Sequence, residues 1–155
     1  MLVECHQRIR EFLQLAISLG EAKCVTDVEA RDVARRIHTY FTRTFPVHVA
    51  DEEDVLRPVL GGRSVDVDAA LWTMHVEHST YLGCIASFLS VCQKVIDVPT
   101  RRGALLPHAR LLRALLLPHL ELEERVLLPA LCALPAEMQE TVARAIRRRH
   151  ALGDR

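Results

Sequence analysis

HVADEEDVLRPVL, from His48 to Leu60, and HLELEERVLLPAL, from His119 to Leu131, are one pattern written twice: aligned on their histidines, both read H-x-x-x-E-E-x-V-L-x-P-x-L. Residues four apart on an α-helix differ by about 40° around the axis and about 6 Å along it, so each histidine and the glutamate that follows it look out of one helix face. Two such helices facing each other would bring two imidazoles and two carboxylates to a common point. A bare H-x-x-x-E arises about 0.6 times by chance in a chain of this composition, so the spacing alone carries little. The weight lies in the length of the shared pattern and in what accompanies it. His48 and His119 are 71 residues apart, and His6 and His78 are 72 apart, which makes the chain an approximate two-fold repeat of a helix pair.

Helical periodicity runs through most of the 155 residues. A first helix is expected over about Val3 to Leu19, with Leu2, His6, Ile9, Leu13 and Ala16 recurring at threes and fours and Gly20 placed to stop it. After a linker of about six residues, Thr26-Asp27 offers an N-cap for a long helical segment that Gly61-Gly62 end after Leu60. A third helix, capped by Asp66, reaches about Val98, with Trp72, His75, His78, Leu82, Ile85 and Leu89 on one stripe. A fourth begins near Pro107 and runs to about Leu134. The expected fold is all-α: an up-down-up-down four-helix bundle over about 3–134 with a short additional helix over about 136–149, all within a single domain over 1–155. Pro46 and Pro118 fall inside helices just before His48 and His119, where a proline costs about 3 kcal/mol. Such a proline either bends the helix around the core or aims the following histidine.

Composition narrows the partners. Lys plus Arg and Asp plus Glu are both 20, so no global field recruits nucleic acid or an anionic membrane. The run Arg147-Arg148-Arg149 reads as a solvated helix end. No apolar run is expected to approach the roughly 18 residues of a bilayer span. The apolar patch from Phe12 to Leu19 reads as helix, not signal peptide. Cys5, Cys24, Cys84, Cys92 and Cys132 show no C-x-x-C pairing and read as reduced thiols, which points to a cytoplasmic protein.

The histidines and glutamates of the repeat sit where the apolar stripe should be. His48 and Glu52 continue toward Leu56 and Val59, and His119 and Glu123 toward Leu127. Burying an unpaired carboxylate costs several kcal/mol or forces it to hold a proton. Several acids and imidazoles converging in one core therefore need compensation, and a pair of divalent cations supplies it. Imidazole and carboxylate without thiolate suit iron, manganese or zinc.

His6 in its H-x-R-I-x-x-F-L context, His48 and Glu52 within FPVHVADEEDVLRP, Glu77-His78 on the third helix, and His119 and Glu123 within PHLELEERVLLP together resemble the hemerythrin and HHE cation-binding family. The resemblance covers about residues 1 to 134. It implies a four-helix bundle holding two non-heme iron ions, with His6, His48, His78 and His119 as terminal ligands and Glu52 and Glu123 bridging. It also implies an open iron position that accepts dioxygen, peroxide or nitric oxide. The oxygen carriers of that family place two third-helix histidines four apart and use an aspartate in the last motif; here His75 and His78 are three apart and the acid is Glu123. His75 joins the candidate metal set on this reading, or stays a core histidine beside it. His38, His108 and His150 have no matching context and read as ordinary.

Three functions compete. The first is a di-iron protein that binds or senses dioxygen, nitric oxide or iron, without catalysis, and acts through an unidentified protein partner. The second is a di-iron oxidase or peroxidase, with Tyr81 as an oxidisable neighbour. The third is a metal-free interaction bundle.

Overall fold

The computed structural model describes residues 2–153. Every regular element among them is helical: α1 (Leu2–Glu21), α2 (Asp27–Thr39), α3 (Phe45–Asp51), α4 (Arg57–Leu60), α5 (Val65–Asp97), α6 (Leu105–Leu122), α7 (Leu128–Cys132) and α8 (Ala136–Gly153). A 3₁₀ segment, Pro99–Ala104, precedes α6. Three π-helical turns, Tyr40–Thr44, Glu52–Leu56 and Glu123–Leu127, join α2 to α3, α3 to α4 and α6 to α7 without a break. The continuous helical stretches therefore follow the expected order.

The π turns have one sequence cause. Each closes with an N–H that reaches the carbonyl five residues back: Phe45 to Tyr40, Arg57 to Glu52, and Leu128 to Glu123. In all three the next residue is proline: Pro46, Pro58 and Pro129. Proline has no donor, and its ring crowds the carbonyl four residues back. Widening the turn by one residue moves that carbonyl away and places the change of register where no hydrogen bond can be lost. In both copies of the repeat the π turn starts at the glutamate, Glu52 or Glu123. Pro118 lies inside α6 with no such turn.

Caps and ends follow local chemistry. Thr26 caps α2, as the sequence suggests, and the structure adds the reciprocal contact from Glu29 that completes a capping box. Gly61 ends α4, and Gly62 takes φ +78°, a conformation open to glycine. The expected Asp66 cap is corrected: Ser64 Oγ accepts the Val67 N–H at 3.2 Å, and Asp66 lies in the first turn, where its charge favours the helix dipole. Gly20 does not stop its helix, since α1 continues to Glu21. A Cβ on Gly20 would lie 2.9 Å from Leu106 Cβ and 3.0 Å from Leu106 N, so the glycine permits close approach of two backbones. The fourth long helix starts at Leu105 rather than Pro107, because the 3₁₀ segment hands its last carbonyls to Leu105.

The chain groups into two compact units, residues 2–45 with 80–117 and residues 46–79 with 118–153. In the first, Phe41 meets Tyr40 and Phe88 edge-on at 5.2 Å, amid buried Ile9, Leu13, Ile37, Leu112 and Leu116. Arg31 and Arg102 donate to Ile96 O and Ala22 O, tying the connections down. In the second, the apolar core includes Leu56, Leu60, Val67, Leu71, Met74, Leu120, Leu127, Val142 and Ile146.

The α5 stripe needs correction. Trp72 and Leu82 are 64 % and 68 % exposed, and the buried positions are Val67, Leu71, Met74, Tyr81, Phe88, Cys92 and Val95. Their threes and fours define a helix face rotated away from the expected one, on which His78 remains. By length and composition α5 is also long and apolar enough to cross a membrane, with a mean hydropathy of 1.2 over its most apolar window. The expectation of no such run is corrected: Ser, Thr, Gly and Cys dilute the apolar residues without adding charge.

Candidate metal centre

Six of the seven candidate residues lie in the second unit, and five of them converge there. His48, Glu52, His119 and Glu123 are each at most 3 % exposed, and His78 exposes 9 % of its side chain. Glu52 lies between two rings: His48 Nε2 is 2.9 Å from one carboxylate oxygen and His78 Nε2 is 3.1 Å from the other. Glu123 Oε1 is 3.1 Å from His119 Nε2. The Nε2 atoms of His78 and His119 are 3.2 Å apart. The helix spacing explains the pairs, since His48 with Glu52 and His119 with Glu123 are four apart and share a face.

Donor atoms of Glu52, His78, His119 and Glu123 all lie within 4.8 Å of one another, and those of His48, Glu52 and Glu123 meet the same limit. Both carboxylates thus belong to both groups. Two ring nitrogens that share a first-row cation at about 2.1 Å each stand about 3.0–3.4 Å apart, and the His78 to His119 separation falls in that range. Imidazole nitrogens and carboxylate oxygens are the donors that iron, manganese and zinc accept. The residues fit a cation.

Two candidates remain. His6 is buried on α1, within the first unit. The His75 side chain is 42 % exposed, and its Nδ1 meets Glu53 Oε2 at 3.0 Å and Arg57 Nη1 at 3.1 Å. It stands outside both donor groups. Tyr81 is buried in the first unit and donates its hydroxyl to Leu115 O at 3.2 Å, a packing role.

A surrounding layer was only partly visible in the sequence. Glu53 Oε1 and Glu77 Oε2 lie 2.8 Å from the Nδ1 atoms of His78 and His119. Asp51 is fully buried; its oxygens meet His150 Nε2 at 2.7 Å and Arg149 Nε at 3.2 Å, and Arg149 also reaches Asp54 at 2.7 Å. Two expectations change here: His150 is not an ordinary histidine, and Arg149 is not a purely solvated end. The DEED run, Asp51 to Asp54, was the available signal, because four consecutive acids cannot share one helix face.

Burial by itself would lower the imidazole pKa values, yet His48, His78 and His119 are all raised because carboxylates face them. Glu123 and Glu52 lift His119 to about 9. Burial alone would raise Glu52, but His48 and His78 hold it below the ordinary carboxylate range. Burial pushes Asp51 up, against the pull of His150 and Arg149. For metal-free protein, a ring held near 9 and unfolding to about 6.5 stabilises fully below pH 6.5 and loses that contribution as pH rises through about 9. A cation competes with the same protons, so its affinity should rise over that window. Thermal melts in chelator should fall from pH 6.5 to 9 while zinc affinity climbs; flat profiles for both would contradict the arrangement.

No curated protein and no solved structure matches the chain. The Hemerythrin HHE cation binding domain matches it over residues 1–131, a span that contains both copies of the repeat and every candidate ligand. With its all-helical fold and its buried imidazole and carboxylate cluster, the chain belongs to the hemerythrin HHE cation-binding family.

Proposed function

We propose that the chain binds two non-heme iron ions and responds through them to dioxygen, nitric oxide or iron supply. The observation that carries this reading is the sharing of Glu52 and Glu123 between two buried donor groups, which suits two cations bridged by carboxylates. His78 and His119 would hold one ion and His48 the other. His6 enters as a further ligand on the family resemblance, within one up-down-up-down bundle. His75 is left out of the set because its ring stands outside both donor groups. Iron, when bound, supplies a redox-active centre with room for a small ligand. The side chains hold and orient it, and their carboxylates offset its charge. The five cysteines form no disulfide among the described residues, which supports a reducing, cytoplasmic setting.

Protein expressed with iron and purified should contain about two irons per chain by elemental analysis, with a visible band that differs under air and nitrogen. Metal-free protein whose melting is unchanged by added ferrous iron or by chelator would favour the interaction bundle. A band that decays irreversibly under air with consumption of a reductant would favour the oxidase.

A further inference from the structure

Each of the two converging rings is held from both ends. His119 Nδ1 lies 2.8 Å from Glu77 Oε2 while its Nε2 lies 3.1 Å from Glu123 Oε1. His78 repeats the arrangement, with Nδ1 2.8 Å from Glu53 Oε1 and Nε2 3.1 Å from Glu52 Oε2. Consecutive residues of one π turn, Glu52 and Glu53, thus grip opposite nitrogens of a single ring. Glu53 is itself anchored, because its second oxygen meets His75 Nδ1 and Arg57 Nη1, both at 3.0 Å.

An ionised carboxylate can only accept a hydrogen bond, and each ring faces one at both nitrogens; a cation held by Nε2 would displace the proton there, while Glu53 and Glu77, at the shorter 2.8 Å, keep the proton on Nδ1. A ring held this way is fixed in rotation and is a more basic donor. We propose that Glu53 and Glu77 are positioning residues for the cation site, that they select Nε2 of His78 and His119 as the ligating atoms, and that His75 and Arg57 serve by anchoring Glu53. This rests on the cation reading above. It gives His75 a role without making it a ligand and explains why a partly exposed histidine stands beside a buried cluster.

The test uses zinc, which is diamagnetic, with the full chain. Glu77→Ala and Glu53→Ala should each lower zinc affinity by about 10–100-fold in competition with a chromophoric chelator. Glu77→Gln and Glu53→Gln, which keep an acceptor oxygen, should recover part of that loss, while the melting of metal-free Gln variants stays close to wild type. Ring ¹⁵N spectra of the zinc-loaded wild type should show His78 and His119 bound through Nε2 with a proton on Nδ1. Wild-type affinity in both alanine variants, or ligation through Nδ1, would overturn the proposal. A wild-type chain that binds no divalent cation would overturn the cation reading and this proposal together, an outcome distinct from the other two.

Discussion

Replacing Glu52 or Glu123 with alanine lowers zinc or ferrous-iron affinity by more than about 100-fold, beyond the loss typical of a supporting residue. Glu52 faces two rings at once, His48 at 2.9 Å and His78 at 3.1 Å, and Glu123 belongs to both donor groups. Either substitution therefore damages both halves of the site, whereas His119→Ala removes one nitrogen from one half. Alanine also leaves imidazoles buried without the negative charge that keeps their protonated forms tolerable, so the metal-free variant should lose about 3 kcal/mol at pH 6. Glutamine in place of Glu52 keeps the shape but halves the acceptor capacity and removes the charge, and should fall between. Competition with a chelator and elemental analysis read the first effect, and denaturant titration at pH 6 reads the second. Two metal equivalents retained in Glu52→Ala would reject the shared-carboxylate arrangement.

The Arg149→Ala, His150→Ala double variant loses about 3 kcal/mol of stability, which for a chain of this length lowers the melting temperature by about 6–12 °C. The Asp51 carboxylate is fully buried, and the substitutions remove the imidazole 2.7 Å and the guanidinium 3.2 Å from its oxygens. The figure sits at the low end for a broken buried ion pair because both side chains are about 30 % exposed and water can partly replace them. Adding Asp51→Asn to the double variant should recover part of the loss, since an amide is far cheaper to bury than an unmatched charge. A double variant that melts with the wild type would mean that the end of α8 contributes nothing to holding Asp51.

The two predictions differ in how far sequence alone could have reached them. The Glu52 and Glu123 experiment follows from a duplicated line of residues, because an α-helix converts a spacing of four into a shared face without help from the rest of the chain. The Asp51 experiment does not. Asp51 and His150 are 99 residues apart, and nothing in local periodicity announces that contact. The same limit explains the α5 stripe: a helix that alternates small, apolar and aromatic residues offers several faces of similar hydrophobicity, and only its neighbours select among them. Locally Gly20 has the usual signature of a helix stop, whereas in the fold it makes room for Leu106 on another helix.

By itself the sequence determined the helical class, the N-cap at Thr26, the chain turn at Gly61-Gly62 and the His48, Glu52, His119 and Glu123 register. These are decided within a few residues, by propensity, capping chemistry and helical spacing. The tertiary structure alone decided that Asp51 and Glu53 serve different partners, that His75 meets Glu53 and not Glu52, and that Arg149 and His150 close on Asp51. Long-range contacts depend on which faces pack, and a turn one residue wider changes which acid points inward. The prolines that accompany those wide turns, Pro46, Pro58 and Pro129, were in plain view in the sequence, but their effect on register appears only once the backbone is built.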